Sequence, residues 1–317
     1  MMRLLAFLSH IALPALLLLP ATSWATQPAP AETIDGAIID IVETTAPTDA
    51  KPGLWLLQDD DTKIYLFGTV HFLRPETQWQ NATISNAFAS ADTLMLEIAM
   101  DGDDAAMAQK IMPLALAKGT PPLSQQLSQK DRAAYHQAMT KYGLAPTAFD
   151  AFKPWFAATT LSLLPAVQAG FNPNNGVEKI LSAQAKGQNK STAALETVEQ
   201  QLGYFDMLPS KLQIRYLNES VKTLDQSTQV LDDMVSMWLQ GRTEELAALI
   251  NESLETSPEL HHLLLDARNQ DWAAKLENRL AQPGTVFVAV GSGHLAGKGS
   301  VQEYLAKRGL TAERVAY

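Results

Sequence analysis

Residues 286–290 read Val-Phe-Val-Ala-Val, and this run constrains the fold more than any other segment. It is too short for a buried helix and rich in β-branched residues. A strand with one wet face alternates apolar and polar side chains; this one does not, so both its faces must be covered. Other strand-type runs are Leu54–Leu57, returning after an Asp59-Asp60-Asp61 turn through Lys63–Phe67, then Thr93–Ile98, Lys190–Glu196 and an edge piece at Thr311–Ala316. Between them the spacing predicts helices: Asn81–Ala91, with Ile84, Phe88 and Ala91 on one face, several pieces from Asp103 to Gln168, and Gly176–Lys186. Further helices are predicted over Gln200–Leu208, Lys211–Met237, Glu244–Ile250, within Pro258–Leu280, and over Val301–Arg308. The expected class is α/β (α+β): a mixed central sheet with packed helices and a large helical insertion at about 103–186.

The first 25 residues do not belong to that fold. A basic start at Arg3 is followed by the apolar stretch Leu4–Pro20, and Ser23 and Ala25 occupy the small-residue positions before a cut. This is the pattern of a secretory signal, with cleavage expected after Ala25 and no stable membrane anchor remaining. Residues 26–52, rich in Pro, Ala, Thr and acids, are expected as a flexible leader with a short ordered piece at Ala37–Val42. Residues 53–317 are expected as a single domain. The chain has no cysteine, which excludes disulfides, thiolate metal sites and a cysteine nucleophile. Its net charge is −10, and loss of the one basic residue in 1–25 makes it −11. An acidic balance argues against nucleic acid as partner. Cysteine-free export points to a periplasmic or secreted protein.

Two strand-type runs end alike: Ile64–His71 in Gly68-Thr69-Val70-His71 and Val286–His294 in Gly291-Ser292-Gly293-His294. Glycine before each histidine permits a sharp exit and close backbone approach. Reactive groups of open α/β sheets collect beyond the carboxyl ends of strands, and four polar residues fall at such ends: His71, Glu97, Glu196 and His294. Two imidazoles with one or two carboxylates suit zinc, manganese or cobalt. A metal there would acidify a bound water, and a spare glutamate would act as general base. Plainer roles exist for each. A histidine after a strand is often a loop or capping residue. Glu97, inside an apolar run, requires a partner, for which Arg268 or Arg215 would serve. Glu196 is suited to favouring the start of a helix at Thr197. His261 and His262, about 100° apart on a helix, are poor co-ligands, and His136 reads as a helix-surface residue. The loop Gly291–Gly299 with Lys298 has the makings of an anion-binding nest. No HExxH, GxSxG or P-loop pattern occurs.

The segments GTVH, LMLEIAMD, KPW, GVEKIL, LET with EQQL, RN and VGSGHLAGKGSV, in this order and spacing, resemble the TraB/PrgY/GumN family over about Leu54 to the C-terminus. The resemblance extends to the TIKI proteins, described as metal-dependent proteases acting on secreted Wnt ligands, and in fold to haem-binding and erythromycin-esterase-like proteins. It implies an active site carried by Gly68 with His71, by Glu97, and by Gly291 with His294. It implies metal binding or catalysis for His71, His294 and Glu97. The family's Leu-Glu-Thr and Arg-Asn elements fall on Leu195-Glu196-Thr197 and Arg268-Asn269. Arg268 is then a candidate for holding a substrate carboxylate or an oxyanion. Glu178 stands where the family often has aspartate, and it is not counted as a ligand.

The expectation drawn from residues and resemblance together is a periplasmic metal-dependent peptide hydrolase. Its cofactor would be a divalent manganese, cobalt or zinc ion, and its substrate a peptide or small secreted molecule. The alternative is a protein that binds a peptide or polysaccharide precursor without turnover, in a cleft formed by the helical insertion. A third reading is haem capture through a histidine.

Overall fold

The computed structural model describes residues 49–99, 104–255 and 261–317. The expected signal segment 1–25, most of the leader and the piece at Ala37–Val42 lie outside the described residues.

The chain opens with β1 (Leu54–Gln58) and β2 (Thr62–Thr69), an antiparallel hairpin in register Leu56↔Tyr65. Asp59 makes the turn, its carboxylate accepting from the amides of Asp61 and Thr62. Helix α1 (Ala82–Ser90) begins on Asn81, whose side chain caps the Ile84 amide, and leads into β3 (Thr93–Ile98). Five helices then precede β4 (Ser191–Glu196): α2 (Asp104–Ala115), α3 (Leu123–Gln126), α4 (Gln129–Lys141), α5 (Pro154–Gln168) and α6 (Val177–Gly187). They fill the stretch expected as a helical insertion. After β4 come α7 (Val198–Asp206), α8 (Ser210–Leu239), α9 (Thr243–Glu255), a π-helical turn at His262–Asp266, and α10 (Ala267–Leu280). The chain ends with β5 (Gly284–Gly291), α11 (Val301–Ala306) and β6 (Glu313–Arg314).

One six-stranded mixed sheet results, in the order β4-β3-β5-β2-β1-β6. The four strands β4, β3, β5 and β2 are parallel neighbours, and the β1 and β6 pairings are antiparallel. The two strands that carry glutamate at their ends are therefore adjacent, and so are the two that lead into histidine. All four present their carboxyl ends along one edge.

The central position of β5 explains its unbroken apolar sequence. Phe287 and Ala289 face a core with Ile84, Ala87 and Phe88 of α1, Leu94 and Leu96 of β3, and the long helices α5 and α8. Val286, Val288 and Val290 face a second core with Trp272, Ala273, Leu276 and Leu280 of α10 and Val301 and Leu305 of α11. Helix α5 is apolar on all sides because it is buried throughout from Pro154 to Ala166. Among the described residues no helix is long and apolar enough to cross a membrane.

Phe287 is the hinge-pin of the first core. Its ring meets Phe88 edge-on at 5.4 Å between centroids and Phe67 at 5.5 Å, with no exposure to solvent. Phe287→Ala is expected to lower unfolding free energy by about 3–5 kcal/mol. The check is the urea midpoint against that of Leu310→Ala, a half-buried position, where the loss should be much smaller.

Candidate functional site

Glu97 belongs to β3, Glu196 ends β4, His71 follows β2 by two residues, and His294 closes the 3₁₀ turn Ser292–His294 after β5. Arg268 reaches this edge from the first turn of α10, and Glu178 from the first turn of α6. All six are buried.

Arg268 organises the larger part. Its Nε donates to Glu196 Oε1 at 2.9 Å and Oε2 at 3.1 Å; one Nη2–H goes to Glu196 Oε2 at 2.9 Å and the other to Glu97 Oε2 at 3.0 Å. Its Nη1 donates to His294 Nε2 at 3.2 Å and the Leu264 carbonyl at 3.4 Å. A guanidinium has five N–H groups, and all five have acceptors here. It lies over Trp272 at 4.8 Å and is fully buried. Burial alone would lower its pKa, but the charges of Glu196 and Glu97 outweigh that cost and hold it above the ordinary arginine value. The role considered for Arg268, a clamp on a substrate oxygen, therefore has no donor left to perform it in this arrangement. Its donors position protein groups instead.

The acids are equally committed. Glu97 also accepts from Gln201 Nε2 at 2.9 Å and from the Gly291 amide at 2.7 Å. Glu196 also accepts from Trp272 Nε1 at 2.9 Å. Helix α7 is capped not by Glu196 but by Thr197, in a reciprocal box with Gln200. Of the two partners weighed for Glu97, Arg268 is the one that pairs with it.

These bonds fix the state of His294. Arginine has no acceptor, so Nε2 must offer a lone pair, and the ring proton sits on Nδ1. Nδ1 is 2.5 Å from Asn269 Oδ1, and the Asn269 amide is oriented by donating to the Gly299 carbonyl at 2.7 Å. The ring packs on Trp272 at 4.4 Å.

His71 forms the second part. Its Nδ1 lies 2.8 Å from Glu178 Oε1, an ion pair whenever the ring is protonated. The Thr69 hydroxyl donates to the same carboxylate oxygen. Burial lowers the His71 pKa, but the Glu178 charge, and beyond it Glu97, raise it by more, so that the net shift is above 6.5. Burial likewise raises Glu178, and His71 with Thr69 carry it below 4.5. That Glu97 and Arg268 act on the charge of His71 shows the two parts to be electrostatic neighbours.

Two glycines make these approaches possible. A Cβ on Gly176 would lie 2.3 Å from the His71 carbonyl oxygen, so α6 starts close enough to aim Glu178 at His71 only because that residue is glycine. A Cβ on Gly68 would meet Ser292 Oγ at 3.0 Å, where the ends of β2 and β5 are joined by Ser292 Oγ donating to the Thr69 carbonyl at 2.9 Å. Gly291 differs from the expectation of a sharp exit. Its φ is −51°, open to any residue, and its contribution is the amide on Glu97.

A divalent ion shared by His71, His294 and Glu97 does not fit this arrangement. The His294 Nε2 lone pair is spent on Arg268, its Nδ1 carries a proton, and Glu97 Oε2 is held by Arg268 and Gln201. Glu97 Oε1 is 4.0 Å from His294 Nε2, the outer limit for two ligands with bonds of about 2.1 Å. Among the described residues no group of three His, Asp or Glu side chains is disposed to hold an ion. His261 Nδ1 lies 3.1 Å from Asp266 Oδ2, five residues on at the π turn, and the exposed His262 lies 4.0 Å from the same oxygen at ordinary i,i+4 spacing.

Residues 53–314 match the TraB/PrgY/gumN family. The chain belongs to that family. Among its relatives are two proteins called Uncharacterized protein YbaP. The one from Escherichia coli (strain K12) is 24% identical over 254 residues, covering 80% of this chain and 92% of its own length. The one from Shigella flexneri is 24% identical over 241 residues, covering 76% and 87%. The mixed α/β class and the placement of both Gly-x-x-His motifs at the ends of β2 and β5 agree with the reading of the sequence. Glu178 was left out of the sequence-based site; its signal was the Gly176-Val177-Glu178 order, a glycine before an acid in the first turn of a helix.

The His71–Glu178 pair sets a pH window for stability. His71, raised on folding, contributes fully below about 6.5, and that contribution is lost as pH rises through its folded pKa. Glu178, depressed on folding, contributes above about 4.5, and that contribution is lost as pH falls through its folded pKa. Glu178→Gln is therefore expected to cost most between pH 4.5 and 6.5, about 3 kcal/mol as for a broken buried pair, and less on either side. Urea melts of both proteins across pH check it; a flat difference contradicts the pairing.

Proposed function

We propose that this protein is a hydrolase of peptides or other small exported substrates, with proton transfer carried by the His71–Glu178 pair. The observation that supports it is Glu178 Oε2: a buried carboxylate oxygen with no hydrogen-bond partner among the described residues, beside an imidazole whose protonated form that carboxylate favours. Unsatisfied buried acceptors are rare and mark places of function or of a missing partner. In this reading Glu178 takes a proton from the attacking water and His71 gives one to the leaving group. Arg268, Glu97, Glu196 and His294 supply a rigid charged floor that holds the strand ends, and so His71, in place. A divalent ion would supply an acidified water, but the Glu97, Glu196 and His294 donors that could hold it are committed to Arg268.

The site of action proposed is the periplasm or the exterior, supported by the signal-type sequence Met1–Ala25. The chain would there meet peptides rather than nucleic acid.

The test is incubation of the purified protein with a defined peptide mixture and mass spectrometry of the products. Cleavage that falls at least a hundredfold in both His71→Ala and Glu178→Gln, while chelator leaves it intact, is the expected outcome. Stoichiometric peptide capture with no new product would instead make the chain a binding protein. Cleavage undiminished in Glu178→Gln would remove the pair from the chemistry.

A further inference from the structure

The family resemblance places a metal at the strand-end histidines and acid. The geometry points elsewhere: we infer that the cation of this site is built into the chain, and that the Arg268 guanidinium occupies the place a divalent ion would need between Glu97, Glu196 and His294. The inference concerns binding and charge, and it stands whether or not the site turns over.

Three independent features carry it. The first is position. The guanidinium touches both carboxylates and the His294 imidazole at 2.9–3.2 Å, so any ion bridging Glu97 and His294 would have to displace it. The second is valence. Two buried carboxylates require compensating positive charge, and Arg268 supplies one unit, spread over the planar fork that matches carboxylate oxygens. The tautomer of His294 is adapted to that charge: Nε2 is an acceptor, as facing a cation demands. The third is support from outside the cluster. Trp272 Nε1, Gln201 Nε2 and the Gly291 amide each donate to one of the two carboxylates. These neutral donors spread the remaining negative charge of the pair, so that a single guanidinium suffices where an open ligand set would call for a dication. Trp272 also packs against both the guanidinium and the imidazole, covering that side of the cluster with an aromatic ring favourable to a cation.

Arg268 is thus a positioning residue and a charge carrier, not a contact for substrate. Removing it should convert the site. Arg268→Ala leaves two carboxylates and an imidazole lone pair around an emptied volume, the donor types that manganese, cobalt and zinc accept. Arg268→Lys keeps a cation and should keep the site closed to metal.

The experiment is thermal denaturation and calorimetric titration of the chelator-treated protein with Mn²⁺, Co²⁺ and Zn²⁺. In the wild type we expect no rise in Tm that depends on Glu97, measured against Glu97→Gln. In Arg268→Ala we expect a Tm well below wild type that the same ions raise by several degrees, and in Arg268→Lys no response. A metal-dependent rise in wild-type Tm that disappears in Glu97→Gln would overturn the inference. So would an Arg268→Ala protein with wild-type Tm and no ion uptake. Should Arg268→Ala not yield soluble protein, the comparison of wild type with Glu97→Gln decides alone. Because each readout is binding or stability, a missing peptidase activity would refute the hydrolase reading and leave this result untouched.

Discussion

The structure depends on one guanidinium. Arg268 ties α10 to the ends of β3 and β4 through Glu97 and Glu196, and to the turn after β5 through His294. Glu97 carries the link further, to the Gly291 amide and to α7 through Gln201. Four separate segments of the chain thus meet on one side chain. Such a network adds little net stability, since burying three charges costs nearly what their attraction returns. Its effect lies in specificity. A slip of either glutamate strand by one residue would turn its carboxylate to the other face of the sheet and leave Arg268 buried without compensation.

The histidines that look equivalent in sequence are not equivalent in the fold. His294 lies inside the guanidinium network as a neutral acceptor, 1% exposed and packed on Trp272. His71 lies beside the network, paired with a carboxylate from α6 and biased towards its charged form. The likeness of the two motifs arises because each serves the end of a central parallel strand, where a small residue lets neighbouring backbone come close. The difference arises from which helix covers each end: α10 brings arginine to one, α6 brings glutamate to the other. A histidine locked under an arginine and one paired with a carboxylate can therefore share a motif.

Much of this was legible in the residues. The unbroken apolar run at 286–290 foretold a strand covered on both faces, and cores on both faces are present. The strand-end rule picked out His71, Glu97, Glu196 and His294 because it concerns short-range pattern: where an apolar run stops and what stands there. The legible part ended where partners from distant segments decide the outcome. Nothing local in Gly291 reveals that it offers its amide to Glu97, 194 positions away. Nothing in Glu178 reveals His71, since that contact depends on Gly176 allowing α6 to touch the chain at His71. The metal expectation came from donor types and from the family resemblance, and neither says whether the lone pairs are already taken. The π turn at His262–Asp266, which brings His261 to a carboxylate five residues on, likewise escapes any reading that assumes α-helical spacing.

All of this rests on the claim that an arginine, and not a metal or a second acid, faces the Nε2 of His294. Nitrogen-15 NMR of histidine-labelled protein at neutral pH reports it directly, with the His294 signals assigned by their loss in His294→Gln. A neutral ring protonated on Nδ1, with Nε2 bare, is the predicted spectrum. A ring protonated on Nε2, or on both nitrogens, would contradict the account.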